Sequence, residues 1–208
     1  MAASLRTAHK DRSETLAALN EIFHEGSSKY PFGKGPIVVS DVPKEALGGG
    51  AAVVMGIDEA GRGSVLGPMT YGAAYWVKKE EVDIPAGYND SKALTPEQRK
   101  ALFDETMACR SLGFVLRVLH ASEISRNMLR FPDPYNLNAM SHDAAMELVQ
   151  SVLDAGVTID TCHVDTVGDP NKYRAKLERA FQGKGIRFVV EQKADATYQT
   201  CSAASVGT

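Results

Sequence analysis

Two adjacent carboxylates, Asp58 and Glu59, close an apolar run, Val53-Val54-Met55-Gly56-Ile57, and lead straight into Ala60-Gly61-Arg62-Gly63. A short continuous apolar run reads as a strand buried on both faces. Acids at its end lie at the edge of the core and repel each other, which is costly unless a positive charge answers them. A divalent metal ion does so, and hard oxygen donors favour Mg2+ or Mn2+. The glycine-arginine-glycine turn offers backbone N–H groups and a planar donor fork, both suited to a phosphate or a hydroxyl. Carboxylates, a metal and a phosphate together point to phosphodiester chemistry. The spacing Gly61-x-Gly63-x-x-x-Gly67 is neither G-x-G-x-x-G nor a P-loop ending in G-K-[ST], and the acids before it would repel a diphosphate. The plain alternative is a strand followed by a solvated acidic turn.

Two further acids occupy similar places. His163-Val164-Asp165-Thr166 closes a later apolar run, and Lys193-Ala194-Asp195-Ala196 follows another. Functional loops of α/β sheets gather beyond strand ends. If the strands before Asp58 and Asp165 are neighbours, those two carboxylates converge. Asp58, Glu59, Asp165 and Asp195 could then hold two metal ions about 3.5–4 Å apart, clamping the attacking and leaving oxygens of an in-line displacement. Singly, Asp165 reads as a turn or cap residue and Asp195 as a helix N-cap. Their joint placement is what favours a metal. His142 is expected on the solvated side of a helix, His163 in a strand pointing away from Asp165, and Trp76 in the core.

The elements that must position these residues alternate along the chain. Strands are expected over residues 53–58, 69–77, 113–119, 159–165 and 186–191. The short connection between the first two allows an antiparallel pair. Thr95, Pro96 and Gln98 form a capping-box helix start, and this helix runs to about residue 108. A short helix is expected over 122–128. The clearest helix covers 136–155, with Leu137, Met140, Ala144, Leu148 and Val152 on one face and Gly156 as its stop. Asp169-Pro170 starts another, and helix resumes from residue 194. The result is an α/β domain with a mixed five-stranded sheet flanked by helices. Residues 1–50 read as a partly flexible extension. It carries one amphipathic helix over 13–24, capped by Ser13, and ends in the hinge Gly48-Gly49-Gly50, so the folded domain starts near Ala51.

Composition sets the outer limits. The chain has 208 residues, 44% hydrophobic and 24% charged, as in an ordinary globular protein. Its net charge of −3 counts weakly against a nucleic-acid binder with one broad basic face, although acidic metal sites lower such a sum. Cys109, Cys162 and Cys201 are odd in number and widely spaced, which argues against both structural zinc and a disulfide framework. An intracellular, soluble protein with reduced thiols is expected. Residues 1–12 lack the apolar stretch of a secretory signal, and no run is long enough to span a bilayer, so no membrane partner is expected.

At this level of detail the chain resembles the type 2 ribonuclease H (ribonuclease HII) family, and within it the catalytic chain of the eukaryotic three-subunit branch. The similarity rests on Gly56-Ile57-Asp58-Glu59-Ala60-Gly61-Arg62-Gly63 with Val65-Leu66-Gly67-Pro68-Met69, and on Asp90-Ser91-Lys92. Tyr135-Asn136-Leu137-Asn138 with Ser141-His142-Asp143 resembles the eukaryotic branch. Val164-Asp165-Thr166-Val167-Gly168, Lys193-Ala194-Asp195-Ala196 and Ser202-Ala203-Ala204-Ser205 match later segments. The resemblance implies a ribonuclease H-like fold and an endonuclease that cuts the RNA strand of RNA–DNA hybrids and cuts at ribonucleotides embedded in duplex DNA. It implies Asp58, Glu59, Asp165 and Asp195 as the acids of a Mg2+ or Mn2+ site. Gly61, Arg62 and Gly63 would contact the ribose 2′-hydroxyl and its phosphate, and Lys92 would lie near the nucleic-acid backbone. Two accessory subunits for a full-length chain, and nuclear work in ribonucleotide excision and replication, are likewise implied.

After Ser205 the family continues with a basic helix and a long C-terminal part that bears a ribose-stacking tyrosine, whereas this chain reads Val206-Gly207-Thr208. A C-terminally incomplete catalytic domain over 51–208 is therefore expected, with poor cleavage. The alternative is an inactive or binding-only fragment. A different metal-dependent phosphotransferase on a similar fold is the weaker third reading, since glycine-arginine-glycine beside Asp-Glu favours the nuclease.

Overall fold

A computed structural model describes residues 6–8, 12–29, 34–63, 67–88 and 94–208. In chain order the elements are β1 (Arg6–Ala8), α1 (Arg12–Lys29), β2 (Ile37–Val39), β3 (Val53–Ala60), β4 (Met69–Val77), α2 (Pro96–Ala108), β5 (Gly113–Leu119), α3 (Ala121–Met128), α4 (Leu137–Asp154), β6 (Ile159–Asp165), α5 (Pro170–Ala180), β7 (Arg187–Glu191), α6 (Ala194–Thr197) and α7 (Gln199–Gly207). The helix starts follow from their caps. Thr95 and Gln98 exchange both capping-box bonds at α2, Asn136 accepts the Ala139 N–H at α4, and Asp169 accepts from Asn171 and Lys172 at α5.

The strands form one mixed sheet in the order β1-β2-β5-β4-β3-β6-β7. β3, β4 and β5 make an antiparallel meander, while β3-β6 and β6-β7 are parallel. Among the described residues the sheet has seven strands where five were expected. The additional two, β1 and β2, come from before residue 51, and β2 pairs antiparallel with β5. Ile37, Val38 and Val39 are all buried. Three apolar residues between Pro36 and Ser40 are too few to show a strand period, so the tertiary partner decides their conformation. α1 begins at Arg12, not after a Ser13 cap, and extends past residue 24 to Lys29. Its Leu19 and Ile22 pack with Val38, Leu116 and Val118, whereas Leu16 is exposed.

Helices cover both faces. On one, the apolar stripe of α4 (Met140, Ala144, Leu148, Val152) meets Met55 and Ile57 of β3. On the other, Ala203, Ala204 and Val206 of α7 meet Val54, Ala74 and the fully buried Trp76. Gly56 makes this second contact so close that a Cβ there would stand 2.2 Å from the Thr200 carbonyl carbon and 2.3 Å from the Cys201 nitrogen. Only glycine admits such an approach of helix backbone to strand.

A buried ion network ties the early residues to this frame. Arg117 of β5 is 1% exposed and donates to Glu123 at 2.6 Å and to Glu147 at 2.9 Å. Glu123 also accepts the Gly35 N–H at 2.8 Å. Among the described residues no helix is long and apolar enough to cross a membrane.

Candidate active site

The register of the parallel β3-β6 pair sets Ile57 beside Val164 at their C-terminal ends, so the next residues, Asp58 and Asp165, emerge together. Glu59 follows near the end of β3. One carboxylate oxygen from each of Asp58, Glu59 and Asp165 lies within 4.8 Å of the others. Asp195, in the first turn of α6, is buried nearby, and its charge acts on both Asp58 and Asp165. The acids expected to converge from four sequence positions thus share one neighbourhood, with the first three forming the tight triad.

The electrostatics carry the signature of an anionic cluster short of positive charge. Burial pushes the Asp58 carboxyl up to about 6, against the stabilising hydrogen bonds from the Ser205 side chain and the Glu59 N–H, and the charges of Asp165 and Asp195 push the same way as burial. Asp165 is also raised, first by burial, while amides oppose the shift. Ala194 and Thr166 each donate to its Oδ1 at 3.1 Å. Lys193 adopts a left-handed conformation, φ 57°, which turns the chain between β7 and α6 so that its own amide joins that of Ala194 at Asp165. Asp58 and Asp165, which burial and neighbouring carboxylates make reluctant to ionise, converge with Glu59 as three hard oxygen donors, a set that fits a divalent cation.

Beside the triad runs the turn 61–63. Gly61 and Gly63 have φ of 74° and 90°, and a Cβ on Gly61 would also meet the Pro68 carbonyl oxygen at 2.4 Å. The guanidinium of Arg62 is held on α4: Nη1 donates to Ser141 Oγ at 2.7 Å and Nη2 to Asn138 Oδ1 at 2.5 Å. The Tyr71 hydroxyl lies beside Ser141 and Arg62, and burial with the nearby Glu59 charge holds it far above the ordinary tyrosine range. Lys92, with Asp90 and Ser91, lies outside the described residues, as do Val65 and Leu66.

Two histidine expectations are corrected. His142 is half-buried rather than solvated: its ring stacks on Tyr173 at 3.9 Å and its Nε2 is 3.3 Å from the Val167 carbonyl oxygen. His163 points to the same side as Asp165, because residues two apart share a strand face. It stacks on Tyr198 at 4.0 Å, with Nδ1 3.1 Å from Thr200 Oγ1. Both rings thus spend their contacts on neighbours other than the triad, and burial lowers the pKa of both. Ser205, Ser141, Asn138 and Tyr71 were given no role from the sequence. Asn138, Ser141 and Ser205 stood within the segments that carry the family resemblance, and Asn138 and Ser141 share an i, i+3 spacing on α4, but neither signal names the contact each makes.

The family described as Ribonuclease HII matches residues 55–207. The ribonuclease H2 A-subunit of Arabidopsis thaliana is 44% identical over 154 residues, covering 74% of this chain and 51% of that protein. The ribonuclease H2 structure from Pyrococcus horikoshii OT3 is 28% identical with a TM-score of 0.60, covering 74% of this chain and 69% of that one. Bst-RNase HIII in complex with Mn2+ shares the fold at a TM-score of 0.61 and 21% identity, over 76% of this chain and 50% of that one. The chain spans about half the length of the curated relatives it matches. With a match that runs from within β3 to the end of α7 and takes in every acid of the cluster, the chain belongs to the ribonuclease HII family.

Proposed function

We propose that this chain carries the catalytic domain, residues 51–208, of a metal-dependent endonuclease that hydrolyses the RNA strand of RNA–DNA hybrids and cuts duplex DNA at embedded ribonucleotides. The observation that carries the reading is the convergence of Asp58, Glu59 and Asp165 toward the ends of two parallel strands, beside an exposed glycine turn. Asp58, Glu59, Asp165 and Asp195 would hold the divalent ions, and Mg2+ or Mn2+ suits their oxygen donors. The Mn2+ bound by Bst-RNase HIII supports that class. When bound, two such ions supply an activated water and neutralise the leaving oxygen in line with it.

The chain's own residues do the selecting. The 2′-hydroxyl is the group that separates RNA from DNA. Gly61 and Gly63 are exposed and bring no side chains of their own, so the turn reads that hydroxyl and its phosphate through backbone more than through the Arg62 side chain. Lys92 would contact the nucleic-acid backbone. Assembly with accessory subunits, which the name of the Arabidopsis thaliana relative implies for that protein, and a nuclear role in ribonucleotide excision belong to the same proposal.

The test is cleavage of an RNA–DNA hybrid and of a duplex with one ribonucleotide, in Mg2+, in Mn2+ and in chelator. Metal-dependent cutting on the RNA strand is expected, and Asp165→Asn should lower it at least about a hundredfold, the order of loss expected when charge stabilisation of a displacement is removed. Cutting that survives chelator, cutting unaffected by Asp165→Asn, or none with either metal would overturn the reading.

A further inference from the structure

We infer that Asn138 and Ser141 of α4 are positioning residues that clamp the Arg62 guanidinium and thereby fix the 61–63 backbone against the acidic triad. The inference rests on the proposed hybrid-cleaving function and assigns these two side chains a part in its substrate selection. Arg62 carries the one side chain in a turn whose other two positions are glycines with positive φ. Such a segment has few internal restraints, so whatever holds Arg62 holds the turn. Both terminal nitrogens of its fork are engaged, one by Ser141 Oγ and one by Asn138 Oδ1. Residues three apart on a helix stand side by side, and the planar guanidinium spans them as a fork, which a lysine ammonium cannot do.

The anchor is rigid. Ser141 is fully buried, and α4 presses Met140, Ala144 and Leu148 into the core directly behind it. The same stretch reaches the other half of the site: His142 approaches the Val167 carbonyl oxygen, two residues past Asp165, and stacks on Tyr173 of α5. Tyr71, opposite Glu59 in the β3-β4 register, completes the contact beneath Arg62 and Ser141. One helix end therefore sets the substrate-reading turn and the Asp165 loop relative to each other. A misplacement of about 1 Å in such a group can cost on the order of a hundredfold in rate.

The experiment is a double-mutant cycle on the whole chain, read as kcat/KM on a duplex with one embedded ribonucleotide, alongside NMR relaxation of the Arg62 side-chain Nε–H. Asn138→Ala and Ser141→Ala should each lower kcat/KM roughly tenfold, the scale of losing one such hydrogen bond to a charged group. Arg62→Ala and Arg62→Lys should do the same. In the Arg62→Ala background neither α4 change should cost more than about twofold, since interactions that act through one another do not add. The Arg62 signal should be rigid in the parent, mobile in both alanine variants and rigid again in Asn138→Asp, which keeps the acceptor. Additive losses, or an Arg62 that stays rigid without Asn138 and Ser141, would overturn the clamp. If the parent cuts nothing with either metal, the functional reading fails by itself, and the relaxation measurement still decides whether the clamp exists.

Discussion

Replacing Asp58 with asparagine should make the metal-free protein more stable, although it removes a ligand from the proposed metal site. Asp58 is 5% exposed, and its carboxyl sits at about 6 rather than 3.8, first because of burial. At 1.36 kcal/mol per pKa unit, the ionised form costs the folded state about 3 kcal/mol. The folded protein holds this proton more tightly than the unfolded chain does. Stability therefore falls as pH rises from 3.8 to about 6, and the penalty is absent below that window and complete above it. Asparagine keeps the acceptor for the Glu59 N–H, now at 2.8 Å, and carries no charge. Urea unfolding in chelator should show Asp58→Asn ahead of the parent by about 3 kcal/mol near pH 8, with the gap closing as pH falls through 6 to 4. Saturating Mn2+ should reverse the order, because only the intact site gains from ligand binding to the folded state. A variant no more stable than the parent near pH 8, or a gap independent of pH, would refute the argument from burial.

Other expectations follow from the packing. Gly56→Ala drives a methyl into the Thr200–Cys201 backbone of α7 and should cost about 3 kcal/mol or more in urea unfolding; a loss under about 1 kcal/mol would mean that α7 can retreat freely. Glu123→Ala strips one partner from the buried Arg117 and the acceptor from the Gly35 N–H, and should cost about 3–5 kcal/mol, whereas Asp104→Ala, which breaks an exposed pair with Lys100, should cost at most about 0.5 kcal/mol. Gly61→Ala meets both an unfavourable φ and the Pro68 oxygen, while Gly63→Ala meets only the φ, so both should impair cleavage at single ribonucleotides, the first more severely. Equal cleavage by parent and both variants would remove the turn from substrate recognition.

The acids were legible because their positions follow from strand ends. Where an apolar run turns to Asp, the carboxylate marks the edge of the core, and the β3-β6 pairing then needed only to be parallel and in register. Two helix starts were equally local: Thr95 and Asp169 announce themselves by type and spacing, while Asn136, read as the first helical residue, is instead the cap. What could not be read is what another element decides. β2 is three residues long and is a strand because β5 offers it an edge. Asn138 and Ser141 belong to a segment with a family resemblance, but their joint contact shows only once Arg62 is seen to lie across them. Ser205 gains its part from the approach of α7 to β3 that Gly56 permits, a contact between segments far apart in sequence. The His163 expectation failed on the period-two rule itself, which puts it on the same face as Asp165.

The parallel pairing of β3 with β6 also orders events in time. β3, β4 and β5 can pair as a meander while the chain is still growing, since each partner is a near neighbour in sequence. The triad cannot form then, because Asp165 follows Asp58 by roughly a hundred positions and arrives only when the long crossover has closed. Its supporting amides come later still, with the turn into α6. A chain released before β6 docks would have a sheet but no cation site, so metal ions would stabilise the finished fold and leave its precursors untouched. With the proposed site occupied, cation binding would act as the last lock on folding, one that a partly built molecule has no means of engaging early.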